Sequence, residues 1–293
     1  MANEINKTTG FFIPEVVASY MIEKIRDKMV FRPFANVDTS LSGNAGDTLT
    51  IPKVKKIIKD AEDVEEGAEI PFDTIGTETT QVKIKKIGVG TSFTIEALTR
   101  AYGNIQQMGL DNLVLSIANK IDNDCLTSLY TKTVYGDFGT KQISREVLSN
   151  ALTGFGELEA EGDKVLFIHP MQLAELRNDP NFLTANSLAQ EMVIKGSVGM
   201  IWGMNIIPTN KIKASEDSKY KNIILKRGAL GIAEKKDLSI ETNKDIKKQV
   251  IDLVATQHYT TYLYDESKIV VFETKAETST APESNETRTR RRE

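Results

Sequence analysis

The chain has 293 residues, 40% apolar and 27% charged, with a formal net charge of -4. That composition belongs to a globular protein with one large or two modest cores, and its acidic balance excludes a dedicated nucleic-acid binder, which needs basic excess to neutralise phosphates. No apolar run approaches the ~20 residues of a membrane span, and MANEINKTTGFF lacks the basic and apolar stretches of a signal peptide, so a cytosolic chain with no membrane partner is expected.

In chain order, Val17, Ala18, Met21, Ile22, Ile25 and Met29 share one face of a helix that Pro14 can open and Arg32-Pro33 ends. GDTLTIP, from Gly46 to Pro52, and TTQVKIKKI, from Thr79 to Ile87, alternate as two paired strands would. The stretch between them has no strong period and is long for a loop inside a domain, which points to a functional or disordered segment. Its charges are segregated. Lys53, Lys55, Lys56 and Lys59 occupy the outgoing arm, then Asp60, Glu62, Asp63, Glu65, Glu66 and Glu69 crowd the tip, and Lys83, Lys85 and Lys86 mark the return. Crowded like charges are most comfortable when solvated or when facing a cationic surface on another molecule.

The longest helical pattern runs from Phe93 to Thr131. A short helix and a bend at Gly103 precede a long helix that starts near Asn104, with Gln107 completing a capping-box-like start. Leu110, Leu113, Val114, Ile117, Ala118, Ile121, Cys125 and Leu129 fall on one face at three-and-four spacing, and the helix would reach roughly 40 Å. Arg145 to Glu159 reads as a helix capped by Ser144, Lys164 to Ile168 as a buried strand, and His169-Pro170 opens MQLAELRND, which Pro180 stops. A further helix and glycine turn lead to a strand at Asn205 to Ile207. Asn222 to Leu225 and Ala229 to Ala233 are further strands, and two more follow in VIDLVATQHYTTYLYDESKIVVFE, parted by Asp265-Glu266-Ser267. From Thr274 onward nothing can be buried, which predicts a disordered tail carrying Arg288, Arg290, Arg291 and Arg292.

Catalytic motifs are absent: no GxxxxGK[ST], GxGxxG, CxxC or HExxH occurs. His169 and His258 stand in different elements, and the lone Cys125 sits on the apolar helix stripe as a structural thiol. His169 fits a strand-end hydrogen-bonding role, and His258 fits an aromatic strand face against the long helix. The acidic tip lacks the alternating ligand order of a calcium loop. No catalytic, metal or cofactor site is expected, and the chain is read as not an enzyme.

The segments Gly46 to Lys53, Asp60 to Pro71, Ile117 to Asp124, Ile201 to Ile207 and Gln257 to Val271, in this order, resemble a tailed-phage major capsid protein of the Hong Kong 97-type fold, in particular the N4-like phage coat proteins. The resemblance implies an α+β capsid fold with an N-terminal arm (1–40), an extended charged hairpin loop (41–92), a peripheral domain with a long spine helix (93–142), a mixed α/β axial domain (143–252), return strands of the peripheral domain (253–275) and a disordered tail (276–293). It implies a coat subunit that assembles with itself into pentamers and hexamers of an icosahedral shell around double-stranded DNA, without sequence-specific contact. A separate scaffold and a portal would be partners, and the shell would assemble in the host cytoplasm. The hairpin residues Lys53, Lys55, Lys56, Glu62, Asp63, Glu65, Glu66 and Glu69 would contact a neighbouring subunit. The alternatives are a bacterial nanocompartment shell of the same fold, which would hold an enzyme, and a soluble carboxylate-dependent enzyme, which would remain a small oligomer.

Overall fold

The structure, a computed structural model, describes residues 14–44, 46–54, 63, 77–96, 105–160, 162–178, 200–215 and 217–275. The chain forms two compact units, and both are discontinuous: the first takes residues 1–131 and 227–266, the second 132–226 and 267–293.

The first unit is built on a four-stranded sheet. Its members are β1 (Ala35–Asp38), β4 (Lys85–Thr94), β10 (Leu230–Asp245) and β11 (Val250–Leu263), in the order β1-β10-β11-β4. β1 pairs parallel with β10, whereas β11 runs antiparallel to both its neighbours. Helix α2 (Ile105–Leu129) packs on one face of this sheet, and α1 (Pro14–Lys28) packs against α2 and β10. All eight apolar positions of the α2 stripe, from Leu110 to Leu129, are buried, because a three-and-four repeat gives a helix one face to hide. Met21, Ile25, Met29 and Phe31 bring the arm into the same core. A separate two-stranded ribbon, β2 (Thr48–Val54) with β3 (Thr77–Lys83), runs in register from Thr48 opposite Lys83 to Val54 opposite Thr77.

The second unit holds a six-stranded sheet. Besides β12 (Ile269–Lys275) it contains β5 (Val134–Phe138), β6 (Lys164–Ile168), β7 (Met200–Ile201), β8 (Met204–Pro208) and β9 (Lys219–Lys226), in the order β5-β12-β9-β6-β8-β7. Helices α3 (Arg145–Leu152) and α4 (Pro170–Asn178) supply Leu148, Leu152, Leu173 and Leu176 to a core shared with Leu166, Ile168, Ile224 and Phe272. Ser144 caps α3 by accepting from the Val147 amide, as its position before the apolar run predicts.

Several expectations are corrected. Phe93 lies in β4, not in a helix, because its backbone pairs with Ile251; residues 97–104, where the short helix and bend were expected, lie outside the described residues. The helix from Arg145 ends at Leu152 and continues as a 3₁₀ stretch, Thr153–Ala160, broken at Gly156, whose φ of 55° an L side chain rarely adopts. The sheets divide the chain elsewhere than at 143–252 and 253–275: β10 and β11 belong to the first unit and β12 to the second. The first unit's helix ends before β5, which joins the six-stranded sheet, and the expected loop 41–92 contains most of β4, which is sheet. Thr274 belongs to β12, where it is buried and accepts from Gln172 Nε2 at 2.5 Å and Asn222 Nδ2 at 2.8 Å. The tail 276–293 lies outside the described residues.

Candidate assembly surface

The buried side of the first unit is tied by two carboxylates two residues apart on α2. Asp122, fully buried, accepts from the Val30 and Phe31 amides at 3.1 and 3.2 Å and so satisfies donors that the end of the arm helix would otherwise leave facing the core. Asp124 accepts from the Tyr259 hydroxyl at 2.5 Å and meets Lys85 Nζ at 2.7 Å and Lys120 Nζ at 3.1 Å. Burial pushes the Asp124 carboxyl up, but these three donors together outweigh it and hold the group below the ordinary carboxylate range. The same burial and the adjacent carboxylate push the Tyr259 hydroxyl far up, so it stays a donor. Lys85, expected on the returning arm of the hairpin, is therefore committed to its own unit, with its ammonium 5.7 Å from the Tyr259 ring centre.

Of the predicted hairpin residues, Lys53 lies in β2 opposite Glu78, and Asp63 is exposed. Lys55, Lys56, Glu62, Glu65, Glu66 and Glu69 lie outside the described residues. At the base of the ribbon Lys83 meets Asp47 at 3.6 Å, and the Ile84 amide donates to Asp47 O at 2.8 Å.

The sheet face opposite α2 carries a pattern that sequence reasoning missed. Alternation puts Tyr259 inward, so its neighbour His258 faces outward, where the register sets it between Lys86 of β4 and Lys236 of β10. This corrects the expected packing of His258 against the long helix. Desolvation, then Lys86, Lys236 and Lys235 in that order, hold the imidazole below its ordinary pKa. Beyond this basic row lie Gly88 beside Thr256, which is bonded to Ser239 at 3.0 Å, and Gly90 beside the exposed Val254. Glu241 is opposite Val254, and farther on Ser92 donates to Asp252 at 2.6 Å. The face is thus basic at one end, bare in the middle and acidic at the other. The signal available in sequence was a pair of doublets, Lys85-Lys86 and Lys235-Lys236.

In the second unit, His169 Nδ1 accepts from the Met171 amide at 3.2 Å and its ring stacks on Tyr220 at 4.8 Å, the strand-end role its sequence position suggests. Burial and the carboxylates of Asp122 and Asp124 push the Cys125 thiol far up, leaving it no nucleophile. Among the described residues no group of three or more His, Cys, Asp or Glu side chains could hold a metal ion.

The model of the "Phage capsid family" matches residues 9–274. The chain belongs to that family. Within it, the chain is 37% identical over 272 residues to the major capsid protein of Staphylococcus phage phiMR11, covering 92% of this chain and 96% of that one. Among solved structures, the capsid of cyanophage P-SCSP1u shares the fold at a TM-score of 0.68 and 12% identity, over 85% of this chain and 88% of that one. A virus-like particle from Pyrococcus furiosus does so at 0.56 and 13%, over 88% and 98%. The phage capsid family thus accounts for both α+β units of this chain.

Proposed function

We infer that the chain is a major capsid subunit, which assembles with copies of itself into the icosahedral shell of a tailed phage. The observation that carries this is the 37% identity to a major capsid protein along nearly the whole of both chains. Within that reading the architecture is of the Hong Kong 97 type. The first unit serves as the peripheral domain with α2 as its spine, and the second as the axial domain, whose loops meet around fivefold and sixfold axes. The narrower likeness to N4-like coat proteins rests on the five sequence segments.

The ribbon β2–β3 is read as the stem of the extended loop. Its charged residues Lys53, Lys55, Lys56, Glu62, Asp63, Glu65, Glu66 and Glu69 reach a neighbouring subunit. A separate scaffold and a portal complete the particle, which forms in the host cytoplasm and encloses double-stranded DNA. Repetition makes this arrangement work: an exposed ion pair contributes ~1 kcal/mol or less, but a shell repeats it in every copy.

One other reading, which the sequence resemblance carries, is a nanocompartment shell of the same fold. Negative-stain electron microscopy with light scattering, at low and high salt, tests both. Shells, or rings of five and six, that weaken in high salt are expected. Packaged DNA identifies the phage shell and an enclosed enzyme the compartment, whereas a small ligand-binding oligomer overturns both.

A further inference from the structure

The outer strand of the four-stranded sheet carries an unused hydrogen-bonding edge. β4 pairs with β11 from Lys85 opposite Tyr259 to Thr94 opposite Val250 without a shift of register, and among the described residues no strand lies on its other side. Ile95 donates its amide to Gln249 O, and bonding residues alternate along an antiparallel ladder, so Ile87, Val89, Thr91 and Phe93 bond β11. Lys86, Gly88, Gly90 and Ser92 therefore turn their N–H and C=O groups to the open edge. Ile84 has the same parity, and its amide goes to Asp47 O, just ahead of β2. From Lys86 to Ser92 no described residue takes the outward groups.

Proteins guard such an edge with lysine, proline or a bulge. Between Gly88 and Thr94, β4 has none of these. Charge selects what pairs with it. Lys86 makes one end of the strand basic, beside His258 and Lys236, whereas at the other end Ser92 donates to Asp252. A twofold axis at Val89 reverses this order, so that the basic end of each copy meets the acidic end of the other. That is the self-complementarity a twofold contact requires. Within one chain the two ends stay apart: Lys86 lies opposite His258 and Ser92 opposite Asp252, six positions along the ladder, which at ~3.4 Å per residue is roughly 20 Å.

We propose that the open edge of β4 pairs with β4 of a second copy of the chain, antiparallel about a twofold axis at Val89, with Gly88 opposite Gly90 and Lys86 opposite Ser92. In that register each of these pairs exchanges two backbone hydrogen bonds, and Lys86 of one copy stands beside Ser92 and Asp252 of the other. The contact rests on the reading of the chain as a self-assembling shell subunit, and it uses no residue of the loop between β2 and β3.

Two measurements on the full-length chain test this. In the first, Lys86→Glu and Asp252→Lys are each expected to lower the yield of assembled particles about tenfold, and the two together in one chain to restore it. Recovery is diagnostic because the two positions are too far apart within a chain to compensate each other. In the second, chains carrying Lys86→Cys are mixed with chains carrying Ser92→Cys, assembled and oxidised. The proposed register brings these Cα atoms to about 5.5 Å, within disulfide reach, so a linked pair is expected on a non-reducing gel from the mixture and from neither variant alone. The gel readout does not depend on the charge variants folding. Particles that form without the mixed cross-link, or a combined charge variant that is folded yet does not recover, overturn the proposal while sparing the shell reading. A parent chain that forms cross-linkable dimers but no shell keeps the strand pairing and defeats the shell reading. A parent that stays monomeric defeats both.

Discussion

The hydroxyl of Tyr259 donates to a carboxylate oxygen of Asp124 at 2.5 Å, joining residues 135 positions apart. The bond fixes which face of β11 meets α2 and so which face, that of His258, is left open. Replacing the hydroxyl tests its contribution. Tyr259→Phe keeps the ring but removes a hydrogen bond to a charged acceptor and is expected to destabilise the subunit by about 1.5–3 kcal/mol, read by chemical denaturation.

Asp124 also predicts the acid limb of stability. Its folded pKa is held below the ordinary 3.8, so the folded state binds the proton less readily than the unfolded chain. The stabilisation is present above that ordinary value and disappears as pH falls through the lower folded one. Unfolding followed between about pH 5 and about pH 2 is expected to show a shallower loss for Asp124→Asn than for the parent.

Arg32 lies 2.9 Å from Glu234, and both side chains are mostly buried. Burial raises the Glu234 carboxyl, and Arg32 offsets this only in part. Arg32→Met therefore leaves a buried, uncompensated acid and is expected to destabilise by about 3–5 kcal/mol, whereas Arg32→Met with Glu234→Leu recovers most of that loss. A double-mutant cycle measured by urea unfolding checks the recovery.

Gly231 pairs with Tyr262, and a Cβ there would stand 2.3 Å from the ring. The ring covers the glycine. Gly231→Val must displace it, and a loss of about 1–3 kcal/mol is expected in thermal unfolding, whereas Gly231→Val with Tyr262→Ser removes the clash and leaves a smaller defect.

The sequence made the α2 stripe plain because eight apolar residues repeat at helical spacing and one unbroken helix buries them all. β10 was legible only as far as Ala233. After it a bulge between Glu234 and Ser239 breaks the alternation, and the strand's later half is mostly exposed and polar. The unit boundaries were illegible because Leu263 and Ile269 are six positions apart yet join different sheets, a choice made by register with distant strands. For the same reason the basic row was hidden: Lys86, Lys236 and His258 meet only through strand pairing. The acidic loop, by contrast, is a local run of like charge and needs no fold to be seen.

The discontinuous first unit sets the order in which a new subunit can be completed. β10 and β11, which lie at the centre of its sheet and cover α2, leave the ribosome only after the whole of residues 132–226. At roughly 5–20 residues per second, the apolar stripe of α2 waits on the order of 5–20 s for its cover. Ribosome-bound chains halted at residue 226 should lose α2 to protease, and chains halted well past residue 266 should keep it. Many copies are made at once for one shell, so shielding this stripe from other nascent chains precedes any contact between finished subunits.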